Sequence, residues 1–165
     1  MAMTLTHQAD YAIRALLDIA HHHPNRRTTR HIAATMDLPR GFLTQILATL
    51  VRNNLLDSLA GPSGGYTLAR PPAEITLLQI IETIDGPVAG DECILGGGTC
   101  DWDTICPLHE TWSQATTNLT RALATTTLAH LAATDQAIRS GTYQPPPDTP
   151  PHPTTPSRRG TSDTT

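Results

Sequence analysis

Residues 29–68 constrain the fold more than any other stretch. Two amphipathic helical segments are joined by one tight turn, and two short apolar strands follow around a glycine-rich loop. The first segment, TRHIAATM, covers 29–36, with Thr28 or Thr29 at its start. The turn is Asp37-Leu38-Pro39, and the second segment runs over roughly 39–53, ending at Asn53-Asn54. Leu43, Ile46, Leu47 and Leu50 recur at i, i+3, i+4 and i+7, the spacing of one buried helical face. Residues 55–59 and 66–68 read as strands, and GPSGG between them reads as a hairpin loop. A helix over 7–23 comes first, with Thr6 as its cap, Ile13, Leu16, Leu17 and Ala20 in helical spacing, and Pro24-Asn25 as its stop. The predicted fold is mostly α, a winged helix-turn-helix followed by a long C-terminal dimerisation helix.

In such a layout the second helix of the pair enters the DNA major groove, and the hairpin wing touches the backbone or the minor groove. With the leucine-rich face of 39–53 turned inward, the outer side offers Arg40, Gly41, Thr44, Gln45 and Thr49. Arginine reads guanine, glutamine reads adenine and threonine reads either, so this side suits base edges. Arg26, Arg27 and Arg30 are candidates for neutralising phosphates. The full set of DNA-contacting candidates is Thr29, Arg30, Arg40, Thr44, Gln45, Ser63 and Gly64. The competing reading is a small helical domain with an ordinary polar surface.

Charge separates along the chain. Residues 1–70 carry seven Arg and four Asp, whereas residues 71–140 carry two Arg and nine acids, and the chain has no Lys. A basic half joined to an acidic half suits a polyanion-binding module with something else attached. No run of 18 apolar residues occurs, so no membrane span is expected. The N-terminal MAMTLTHQADYAIRAL lacks the pattern of a secretory signal. Three cysteines, an odd number, argue against a disulfide framework, and the expected location is the cytoplasm.

Past Pro71-Pro72, a helix capped by Thr76 is expected over 76–85, with Leu77, Ile80, Ile81 and Ile84 on one face. Gly86-Pro87 stops it. The segment ECILGGGTCDWDTICPLH then holds all three cysteines, Cys93, Cys100 and Cys106, with His109 three residues past the last. Three thiols and an imidazole are a soft-metal ligand set. A loop of Gly, Asp and Thr is a poor place to bury thiols without a partner, which disfavours three merely packed cysteines. The spacing Cys-x6-Cys-x5-Cys-x2-His has longer gaps than the paired knuckles of structural zinc sites, and so suits a larger object such as an iron–sulfur cluster. Asp10 reads first as a carboxylate favoured by the dipole of the first helix, and His21, His22 and His23 as a solvated helix end. No catalytic triad, paired carboxylate or phosphate loop is present, so no enzyme is expected.

Pro107 suits the first turn of a further helix, about 107–124. Leu108, Trp112, Ala115, Leu119 and Ala122 alternate by four and three, the rhythm of a coiled-coil seam and a candidate dimer interface. A short helix over 127–138 follows. From 139 to 165, Pro and Thr dominate, and a disordered tail is expected. The chain thus divides into a DNA-binding region (1–85), a cysteine loop (86–106), a dimerisation helix with a short terminal helix (107–138) and the tail.

Taken together, TLTHQADYAIRALLDIA, GPSGGYTLARP, EITLLQIIETIDGP and the cysteine loop ending CPLHETW resemble the IscR/NsrR family of winged-helix transcription regulators over about residues 3–137. The resemblance implies a homodimer on a palindromic double-stranded DNA operator, with an iron–sulfur cluster on Cys93, Cys100 and Cys106. Members resembling IscR hold a 2Fe–2S cluster with a histidine at the position of His109. Members resembling NsrR hold a 4Fe–4S cluster and can take an aspartate from the partner's first helix, at the position of Asp10. CPLHETW favours His109 and 2Fe–2S, and ADYAIRAL keeps the 4Fe–4S alternative open. The chain departs from the family pattern in its x6 first gap, in Ala60 where many members carry Arg, and in Thr44 where some carry an acid. The implied function is transcription regulation governed by iron or cluster status, oxidants or nitric oxide. The alternatives are a zinc-stabilised or thiol-switch regulator, and an iron–sulfur electron carrier.

Overall fold

The computed structural model describes residues 5–88, 106–147 and 149. Helix α1 (His7–His22) starts at Thr6, whose hydroxyl accepts the Ala9 N–H at 3.2 Å. It packs against the helices over 29–36, 40–52 and 77–85, the strand over 65–68 and the last helix. Its fully buried face is Ala9, Ala12, Ala15, Leu16 and Ile19, which rotates the expected Ile13–Ala20 stripe. Ile13, Leu17 and Ala20 lie half-buried on its shoulders. Three alanines on the inner face let neighbouring backbones approach closely, so the small residues go deepest.

Helices α2 (Thr29–Met36) and α3 (Arg40–Arg52) form the helix-turn-helix. Thr28 caps α2 by accepting the His31 N–H at 3.3 Å. Asp37 ends it in the left-handed region (φ 52°), and the Leu38 N–H closes onto the Ala33 carbonyl at 3.0 Å. Glycine occupies that conformation without a Cβ penalty. Asp37→Gly is therefore expected to stabilise the fold by about 0.5 kcal/mol, and Asp37→Val to destabilise it by about 1–2 kcal/mol. Thermal melts of both variants check the opposite signs. On α3, Leu43, Leu47 and Leu50 are fully buried and Ile46 nearly so, as the spacing predicts.

Strands β1 (Leu56–Leu59) and β2 (Gly65–Leu68) pair antiparallel, from Leu56 opposite Leu68 to Leu59 opposite Gly65. Leu55, Leu56 and Leu68 anchor this wing in the core. A third piece of backbone joins it, because Arg27 and Tyr66 exchange N–H···O=C bonds at 2.8 Å in each direction. That approach needs Gly65, since a Cβ there would lie 2.7 Å from the Arg27 carbonyl oxygen.

A single 3-10 turn (Pro72–Glu74) leads to α4 (Leu77–Asp85), which opens with a capping box between Thr76 and Gln79. Ile80 and Ile81 are buried, with Leu77 and Ile84 half-buried beside them. Helix α5 (His109–Thr125) packs along α4, and α6 (Leu128–Arg139) returns onto α1. The turn between α5 and α6 is fixed to the body by main-chain bonds, Leu77 N–H to the Thr126 carbonyl at 2.8 Å and Leu128 N–H to the Ile75 carbonyl at 2.7 Å.

The His21–His23 tract is exposed at the end of α1, as expected, but two of its rings are engaged. His21 Nε2 lies 2.8 Å from Asp135 Oδ2 on α6, and His22 Nδ1 lies 2.7 Å from the Asp18 carbonyl. Burial pushes the Asp135 carboxyl up, but hydrogen bonds from His21 and Arg139 outweigh it and hold the group below the usual carboxylate range. This α1–α6 contact favours the fold above the unfolded carboxylate pKa, and the gain is lost as pH falls through the lowered folded value.

Candidate nucleic-acid interface and metal centre

On α3, Arg40, Thr44 and Gln45 are all exposed, because the leucine face on the other side of the helix is consumed by the core. The Thr44 hydroxyl donates to the Arg40 carbonyl at 3.3 Å, and the Thr49 hydroxyl donates to the Gln45 carbonyl at 3.1 Å. Arg30 is exposed and Thr29 half-exposed at the start of α2. Ser63 is exposed at the wing tip. Gly64 is buried there, its N–H donates to the Gly61 carbonyl at 2.9 Å, and a Cβ would meet the Ala60 carbonyl carbon at 2.9 Å. What Gly64 offers is the shape of the tip.

Arg27 leaves the expected phosphate-neutralising set. Its guanidinium forks the Asp18 carboxylate, Nε to Oδ2 at 2.8 Å and NH2 to Oδ1 at 3.1 Å, and also donates to Thr35 Oγ1 at 2.9 Å. The Asp18 side chain is fully buried and Arg27 is 15% exposed. A buried carboxylate demands such a partner. Sequence reasoning also missed Phe42, 59% exposed on α3 beside the candidate residues Arg40 and Gln45. It lines a cleft of about 370 Å³ with Gln45, Thr49 and Arg52 of α3, Gln8 of α1 and Ile84 of α4. Its signal was available, as Phe42 falls outside the i, i+3, i+4 core stripe.

Of the cysteine-loop donors, Cys93 and Cys100 lie outside the described residues. Cys106 is a free thiol, 7% exposed, and the His109 N–H donates to its carbonyl at 3.0 Å. The last thiol and the imidazole therefore share one turn, and His109 is the first residue of α5. Among the described residues no group of three or more His, Cys, Asp or Glu is placed to hold a metal. The two donors that are described, a free buried thiol and an imidazole one turn apart, fit a soft metal or a cluster completed from elsewhere. The alternative donor Asp10 is on α1, 41% exposed at its side chain, and it pairs with Arg14 Nε at 3.0 Å.

The seam residues lie along α5, none of whose side chains is buried among the described residues. Leu108 is 49% exposed and Trp112 40%; Ala115 and Ala122 are exposed and Leu119 is half-buried. No helix of the described residues is long and apolar enough to cross a membrane.

Comparison with known proteins places this arrangement. The Rrf2 family, described as iron-dependent transcriptional regulator, matches residues 5–134. ORF2 of Azotobacter vinelandii, which carries an HTH-type transcriptional regulator name, is 32% identical over 132 residues, covering 79% of this chain and 80% of ORF2. IscR of Photorhabdus laumondii, an HTH-type transcriptional regulator, is 28% identical over 137 residues, covering 82% of this chain and 83% of IscR. Among solved structures, CymR, the global cysteine regulator of B. subtilis, superposes with a TM-score of 0.70 at 26% identity, covering 79% of this chain and 97% of CymR. Mostly helical, with a two-stranded wing behind its helix-turn-helix, the chain belongs to the Rrf2 family of transcriptional regulators and is not an enzyme.

Proposed function

We propose that the chain acts as a homodimer on a palindromic operator, and that an iron–sulfur cluster held by Cys93, Cys100, Cys106 and His109 sets its affinity. One observation carries this reading most: the Cys106–His109 turn runs directly into α5, the helix with an unburied apolar seam. Arg40, Thr44 and Gln45 read base edges in the major groove, and the wing approaches the adjacent backbone. Once bound, the cluster supplies a centre that reacts with oxidants or nitric oxide and cross-links the loop thiolates. Cys106 and His109 fix the start of α5, and α5 spaces the two α3 helices. Half-sites lie about one helical turn, roughly 34 Å, apart, so a small change in spacing changes affinity sharply.

A second reading is favoured by Cys106 standing as a free thiol. In it, Cys106 and its neighbours switch as bare thiols or hold zinc. Anoxic purification with a visible spectrum and iron and sulfide assays separates the two. The cluster reading expects a coloured protein, loss of colour in Cys106→Ala, and operator affinity that differs between cluster-loaded and stripped wild type. Colourless protein carrying stoichiometric zinc, or equal affinity in both forms, refutes it.

A further inference from the structure

The hairpin from Asp57 to Gly65, DSLAGPSGG, contains one acid and no cation. A wing of this composition has no positive charge with which to attract a phosphate. The 26–28 segment lies against the base of the hairpin, clamped to β2 by the reciprocal Arg27–Tyr66 bonds. The two arginines there face opposite fates. Arg27 turns inward and is consumed by buried Asp18. Arg26 is exposed, and among the described residues its one hydrogen bond is a long contact from NH1 to the Gly65 carbonyl, 3.4 Å. That contact places the guanidinium beside Gly65 and leaves most of its fork of donors unused.

We propose that Arg26 is the DNA-contacting cation of the wing, positioned by the Arg27–Asp18 strut and supplying the charge that the hairpin lacks. The inference rests on the reading that the wing lies against DNA. It separates three arginines that looked equivalent in sequence. Arg27 positions the strand, Arg26 serves the wing, and Arg30 belongs to α2.

The test measures binding of the full chain to a duplex from its own promoter region and to a random duplex of equal length, across a salt series. Arg26→Ala is expected to weaken both by about 5- to 10-fold, and to flatten the log K against log salt slope by about 1 per bound protomer. Its melting temperature should stay at the wild-type value, since the side chain is exposed. Adding Ala60→Arg, which places a guanidinium on the exposed hairpin itself, should restore the slope. An unchanged slope in Arg26→Ala, a fall in its melting temperature, or no recovery with Ala60→Arg overturns the assignment. Wild type that binds neither duplex at any salt overturns the DNA reading of the wing, and the assignment with it.

Discussion

On the proposed dimer, Trp112→Glu is expected to give a monomer that no longer holds its operator at working concentrations. Trp112, and Leu108 just before the helix, present apolar surface at the start of α5, which has no buried side chain of its own, while Ala115 and Ala122 leave room for a second backbone. In a twofold interface each residue counts twice, and a central tryptophan is worth about 2 kcal/mol or more in each copy. Losing the tether between two half-site readers removes an avidity of about 10²–10⁴. Sedimentation should show one chain per particle, and operator affinity should drop by about that factor. The circular dichroism melt should fall only by the share that dimerisation contributes and should lose its dependence on protein concentration, because Trp112 takes no part in the core cluster. A stable dimer in this variant with undiminished affinity would place the interface elsewhere.

The second large effect is on stability. Asp18→Ala strands Arg27 beside the wing with its carboxylate partner gone, although Thr35 remains. Breaking a buried pair from one side costs about 3–5 kcal/mol, a large share of the total stability of a domain. A melting-temperature drop of about 6–20 °C is expected for a chain of this size. Replacing both partners by apolar residues, Asp18→Leu with Arg27→Met, should recover more than half of the loss, since no charge is then left unpaired. If the double variant melts no higher than Asp18→Ala, shape rather than charge holds this joint.

Much of this architecture was legible because it follows from local rules. The α3 stripe, the Thr6 and Thr76 caps and the GPSGG hairpin are each decided by residues within a turn or two of one another. The inner face of α1 was not. Ala9, Ala12 and Ala15 give a weak hydrophobic signal, and only the packing of several elements around one helix selects them over Ile13 and Leu17. The fate of Arg27 was equally hidden, since a buried carboxylate nine residues upstream leaves no periodic trace. For the metal centre, the residue types and the Cys106–His109 spacing pointed to soft-ligand chemistry. The sequence also ran this turn into a helix from Pro107, as α5 does; what it did not show is that Asp10 pairs with Arg14.

The main-chain clasp at residues 75–77 and 126–128 makes α5 a lever with its pivot at the far end. A helix of 17 residues is about 25 Å long at 1.5 Å per residue. Tilting it by about 5° around that pivot swings the His109 end through about 2 Å. In the proposed dimer the same leverage runs in reverse, so a duplex that fixes the angle between two such arms would also dictate how tightly the thiol end can close.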